Sequence, residues 1–136
     1  MNDSSPPHRA FAELAAGMPL PTLALAVSAA ANDRYWDGAG VEHPLRTAGA
    51  LYPLIAANLT VLAFGGLCAD PVIQARQRLV CHRRADAPAT LHTTGVIAER
   101  YERRGRDYVV VDATVALDDG EPLWTSSVVF TPAATL

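Results

Sequence analysis

The pattern of apolar and polar positions changes character near Gly66. Beyond it, apolar residues recur at every second position, the period of a strand with one buried face. Four strands are expected there: Val72 to Arg83, Thr90 to Glu102, Asp107 to Leu117 and Pro122 to Thr131. In the first, Ile73, Ala75, Leu79 and Cys81 share one face, broken by Gln77, while Gln74, Arg76, Arg78 and His82 share the other. Arg103-Arg104-Gly105-Arg106 and Asp118-Asp119-Gly120-Glu121 carry the glycines of hairpin turns. Short links between successive strands favour an antiparallel meander.

The first half is rich in Ala and Leu and reads as helix and loop. Ala48 to Phe64 is apolar almost all round, so a helix here must be wrapped by other structure. Pro53 falls in its first turns, where proline is tolerated, and Gly65-Gly66 supplies a stop. Thr22 to Ala31 is a second expected helix, capped by Thr22 and ended by Asn32-Asp33. Phe11 to Gly17 fits a helical turn or a lead-in strand. Arg34 to Thr47, with Gly38, Gly40 and Pro44, is expected to be irregular loop, and it holds most of the first half's reactive side chains. Residues 1–9 carry Pro6-Pro7 and lack the basic and apolar regions of a signal peptide, so they are expected to be a disordered leader. Residues 10–136 then form one α+β domain, an antiparallel sheet wrapped around one long apolar central helix. Its exposed sheet edges favour a homodimer that joins two sheets.

Composition narrows the classes. Of 136 residues, 50% are hydrophobic and 18% charged, enough apolar material for a core at this length. The net charge of -3 argues against a nucleic-acid surface, although Arg76, Arg78, Arg83, Arg84, Arg103, Arg104 and Arg106 make the second half locally basic. Cys68 and Cys81 form no C-x-x-C pair and are expected to be buried thiols; no metal site and no cofactor is expected. The apolar run 48–68 is interrupted by Tyr52, Pro53, Asn58 and Thr60, which argues against a membrane span and for a cytoplasmic protein.

The order of elements resembles the MaoC-like (R)-hydratase and acyl dehydratase family, whose fold is the hot-dog. Phe11-Ala12-Glu13-Leu14, Gly17 and Pro19 to Pro21 look like its opening F-x-x-L-x-x-G-x-x-L-P segment. Val27 to Trp36 is similar to its a-x-x-G-D-x-N-P-x-H segment, with Asp33 on the motif's Asp. Ala48-Gly49 resembles the A-x-x-G before the central helix, and Tyr52-Pro53 stands where many members have His-Gly. Gly95 to Glu99, Tyr108 to Asp112 and Asp118 to Glu121 resemble G-x-V-x-E, Y-V-x-V-D and N-x-D-G-E. The resemblance spans about Phe11 to Pro132.

This resemblance implies an acyl group on a pantetheine arm, from acyl-coenzyme A or an acyl carrier protein, and reversible hydration of an enoyl thioester by an Asp and a His. The sequence departs where the His should stand, because position 38 is glycine. Asp33, His43 and Tyr52 are therefore the candidate acid–base and polarising groups. Asn32, Tyr35, Trp36, Arg46 and Asn58 are the candidates for substrate contact. Each also has a plainer reading. Asp33 suits a helix-terminal hydrogen-bonder, His43 a loop histidine, Tyr35, Trp36 and Tyr52 core aromatics, Asn58 a bonded buried amide, and Arg46 a surface ion pair with Glu42. Three functions compete: a hydratase or dehydratase with an altered dyad, a cyclase that closes a ring in a free polyketide-like molecule by conjugate addition, and a non-catalytic partner subunit of a dehydratase.

Overall fold

The computed structural model describes residues 8–40 and 42–133. Most of the expected leader lies outside the described residues. Its last residue is held in place: Arg9 donates its backbone N–H to the carbonyl of Leu67 and accepts from the N–H of Ala69, both at 2.8 Å.

Five strands form one antiparallel sheet in the order β1-β3-β4-β5-β2. They are β1 (Leu23–Val27), β2 (Val72–Cys81), β3 (Ala89–Arg103), β4 (Arg106–Ala116) and β5 (Pro122–Pro132). The four strands expected after Gly66 are present. β3, β4 and β5 form the expected meander, but β2 pairs with β5 instead of β3. The connection over residues 82–88 is long enough to cross the end of the sheet, so adjacency in sequence does not force pairing. The β3–β4 turn places Arg104 and Gly105 at φ 54° and 76°, the two positive values of a tight hairpin turn.

A register shift between Gln74 and Arg76 reverses the expected faces of Ile73 and Gln74, while Gln77, Leu79 and Cys81 keep theirs. Directly paired residues point to the same side of a sheet. Gln74 lies opposite buried Phe130 and Gln77 opposite buried Val128. Both glutamines therefore face inward, and Gln77 is not an interruption of the inner face but part of it.

The expected helix over Thr22 to Ala31 is a correction. Leu23, Leu25 and Val27 alternate inward along β1, which pairs with β3 from Leu23↔Thr93 to Val27↔Ala89. Ser28, not Thr22, is the helix cap: its hydroxyl accepts from the Ala31 N–H at 3.0 Å. Helix α1 (Ala29–Ala39) then continues through Asn32 and Asp33 and ends at Gly40 in the left-handed conformation. A second short helix, α2 (Pro44–Thr47), replaces the rest of the expected loop, with Pro44 in its first turn.

The central helix α3 (Ile55–Gly65) starts later than expected, because Gly49 has φ +84° and Ala50 bridges to Asp86. Ile55, Ala56, Leu59, Thr60, Ala63 and Phe64 are buried against the sheet. The expectation of a fully wrapped helix fails on one side, where Leu54, Val61 and Leu62 are exposed, Leu62 to 62%. The core divides into two clusters, one around the stacked rings of Phe64 and Phe130, the other around Trp124, Leu123 and Leu91.

Candidate functional site

Site geometry begins with a buried bracket. Asn32, 4% exposed, donates from Nδ2 to the Ala50 carbonyl and accepts at Oδ1 from the Tyr52 N–H, each at 2.9 Å. Trp36 donates from Nε1 to the same Ala50 carbonyl at 2.9 Å. An amide with both ends bonded satisfies the backbone of a segment that forms no regular structure. These contacts bolt α1 to the chain just before α3. Asn32 and Trp36, expected at the substrate, thus have their polar atoms engaged by backbone.

Outside this bracket sits an ionic cluster. Arg46 donates from Nε and Nη2 to Asp33 Oδ1 at 3.0 and 2.8 Å, and from Nη2 to Asp37 Oδ1. The two carboxylates, four residues apart, share one helix flank. The expected Arg46–Glu42 pair is replaced by this fork. Asp37 was missed in the sequence reading, although its spacing from Asp33 was the available signal. Hydrogen bonds donated first to Asp37 and then to Asp33 raise the Arg46 pKa above its ordinary value. One guanidinium serves two carboxylates, so the cluster keeps one uncompensated negative charge.

His43 caps α2, its Nδ1 accepting from the Leu45 N–H at 3.1 Å. Its ring stacks on Trp36 with centroids 6.2 Å apart. Among the described residues no hydrogen bond joins His43 to Asp33. The two are linked through Arg46, which lines a shallow depression together with His43, Pro44 and Thr47.

A separate groove of about 450 Å³ runs between α1, the start of α3 and β2. Tyr35, Tyr52 and Asn58 meet there with Arg34, Gln74 and Gln77. Asn58 is exposed, which corrects the expectation of a buried, bonded amide. Tyr52 also leans on Trp36, ring centroids 4.9 Å apart. The groove occupies the flank of α1 that carries Arg34, Tyr35 and Gly38; Asp33 and Asp37 lie on the other flank, about 100° further round.

Of the arginines that make the second half locally basic, Arg83 and Arg84 are held in ion pairs. Arg83 makes a two-pronged pair with Asp119 and holds that carboxyl below its usual range, while Arg84 pairs with Asp86. Arg76, Arg78, Arg103, Arg104 and Arg106 make no ion pair among the described residues. Among the described residues no group of three or more His, Cys, Asp or Glu could hold a metal, and no helix is long and apolar enough to cross a membrane.

Both cysteines are free. Cys68 is buried as expected, and burial pushes its thiol pKa up; Cys81, at the end of β2, is exposed, contrary to expectation. Only the thiolate is nucleophilic. Iodoacetamide at neutral pH is therefore expected to modify Cys81 well before Cys68, as read by peptide mass mapping; equal rates would contradict this burial.

No family model matches the chain, and no curated protein matches it in sequence. Solved structures do match in three dimensions. The HadBC (3R)-hydroxyacyl-ACP dehydratase complex of Mycobacterium tuberculosis superposes with TM-score 0.72 at 21% identity, over 85% of this chain and 96% of that one. A MaoC-like dehydratase from Rhodospirillum rubrum gives 0.73 at 16% identity, over 91% and 96%. The R-hydratase PhaJ1 of Pseudomonas aeruginosa gives 0.75 at 14% identity, over 90% and 84%. At such identities the likeness is one of fold, and this chain has the hot-dog fold shared by those MaoC-like dehydratases and R-hydratases.

Proposed function

We propose that this chain is an acyl-thioester hydratase or dehydratase of the MaoC-like type, working as a homodimer on an acyl or polyketide-like substrate. The observation that carries the reading is the Asp33–Arg46–Asp37 cluster on α1. It sits at the position that the family resemblance assigns to the catalytic Asp, and it retains a negative charge beside an exposed histidine. In the hydration direction Asp33 takes a proton from water, and the hydroxide oxygen adds to the β-carbon of the enoyl thioester. The α-carbon is then protonated. Position 38 has no side chain, so Asp33 returns the proton it took from water to the α-carbon, while His43, whose Nε2 makes no hydrogen bond among the described residues, orients the water and Tyr52 assists at the thioester carbonyl.

Two features support a second copy of the chain. β2 is a ten-residue strand paired on one side only, and the exposed Leu54, Val61 and Leu62 lie on the adjacent helix. An unpaired edge next to apolar surface favours joining two sheets. The carrier of the substrate is coenzyme A or an acyl carrier protein.

Mass-resolved incubation with crotonyl-coenzyme A and longer enoyl thioesters tests the proposal. Addition of one water is the expected result. Absence of turnover at every chain length would sink it. The glycine at position 38 favours one alternative, a cyclase, whose signature is a product of unchanged mass from a polyketide-like substrate. A chain that forms no homodimer and gains activity only with another hot-dog chain would instead be a partner subunit.

A further inference from the structure

The groove between α1, α3 and β2 has a mixed lining, apolar at Ala39, Leu54 and Ala57 and polar elsewhere. Six of its walls are polar: Arg34, Tyr35, Tyr52, Asn58, Gln74 and Gln77. The side chains of Arg34, Tyr35, Tyr52 and Asn58 make no hydrogen bond to other described residues. Gln74 and Gln77 are joined amide to amide at 3.0 Å, which leaves the Gln77 Nε2 buried and without a partner. A buried donor left unpaired is costly, and native folds seldom keep one that nothing satisfies. By inventory the lining offers more donors than acceptors: a guanidinium with five N–H groups, two phenols and three amides.

We infer that this groove binds a ligand rich in acceptor oxygens, a chain bearing several carbonyl or hydroxyl groups, and discriminates against a saturated hydrocarbon chain of the same length. A groove of about 450 Å³ falls in the size range of sites for small organic molecules. Two phenol rings and the apolar side chains of Leu54 and Ala57 cover the ligand's carbon skeleton, while the amides and Arg34 orient its oxygens. A saturated chain in the same place strips water from these donors and returns no acceptor, which sets the selectivity. The groove shares Tyr52 with the proposed site, so the inference rests on the hydratase reading and deepens it by naming the substrate class, and it is tested apart from it because binding is measured without turnover.

The test is equilibrium titration of the full chain with two N-acetylcysteamine thioesters of equal length, dioxo-octanoyl and octanoyl, read by calorimetry. The dioxo probe is expected to bind at least about tenfold more tightly. Asn58→Leu with Gln77→Leu is expected to abolish that preference. Tyr35→Phe with Tyr52→Phe, which removes only two hydroxyls, is expected to reduce it and serves where the first pair fails to fold. Equal affinity, tighter binding of octanoyl, or no binding of either probe overturns the inference. A chain that prefers the dioxo probe yet hydrates no enoyl thioester keeps the inference and loses the hydratase reading. A chain that hydrates crotonyl-coenzyme A but shows no preference does the reverse.

Discussion

Asp33→Asn is expected to lower hydration of an enoyl thioester by about 10²–10⁴-fold, the span over which a positioned acid or base accelerates proton transfer. The substitution is nearly isosteric. An amide oxygen can still accept from Arg46, whose Nε and Nη2 both reach Asp33 Oδ1, so the packing of α1 against α2 should persist. What is lost is the negative charge and the capacity to take a proton from water. Both aspartates are well exposed, and exposed ion pairs contribute little to stability, so the variant should unfold at nearly the wild-type temperature. Steady-state kinetics alongside thermal unfolding separates the two effects. Asp37→Asn is the informative control, since Asp37 shares the guanidinium but stands at a different turn of the helix. If Asp37→Asn costs as much as Asp33→Asn, the base is shared by the pair. If neither matters, the cluster is structural and the proposed mechanism fails.

Phe130→Ala is expected to destabilise the fold by about 3–5 kcal/mol, the usual range for emptying a large aromatic site in a packed interior. Phe130 is 1% exposed, and its ring stacks on Phe64 with centroids 4.2 Å apart and planes 6° from parallel. Phe64 belongs to α3 and Phe130 to β5, so this contact fastens the central helix to the sheet. The same cluster holds Ile97, Val109, Val111 and Val128, all on strands, which cannot move inward to fill the void without breaking the ladder. Chemical denaturation checks the value. A loss below about 1 kcal/mol would mean that the site collapses or that helix and sheet are fastened elsewhere. The variant should leave the α1–α2 ionic cluster intact, because that is held by the Asn32 and Trp36 bracket, which lies outside the Phe64–Phe130 cluster.

The second half of the chain was legible because its signals are local. Period-two alternation bounded by Arg104-Gly105 and Asp119-Gly120 turns places β3, β4 and β5 without reference to the rest of the molecule. The first half lacks such signals. Leu23, Leu25 and Val27 alternate with alanines, a pattern equally compatible with a helix, and only the pairing of that segment with β3 makes it a strand.

The candidate site shows the same division. Position alone singled out Asp33 through its resemblance to a known motif, and the glycine at position 38 was visible at once. Its partner was not: Arg46 lies thirteen residues away, and it reaches Asp33 because buried Asn32 and Trp36 both seize the carbonyl of Ala50. The groove was hidden by one residue. The bulge near Ala75 shifts the phase at the start of β2 and brings Gln74 to the same face as Gln77, a change that strict alternation cannot register. From its residues alone this chain determined the strands of its second half and its apolar central helix, because those follow from spacing along the backbone. Which side chains meet Asp33, and that Gln74 joins Gln77 on the inner face of β2, was decided only by the tertiary structure, because those contacts join segments far apart in sequence.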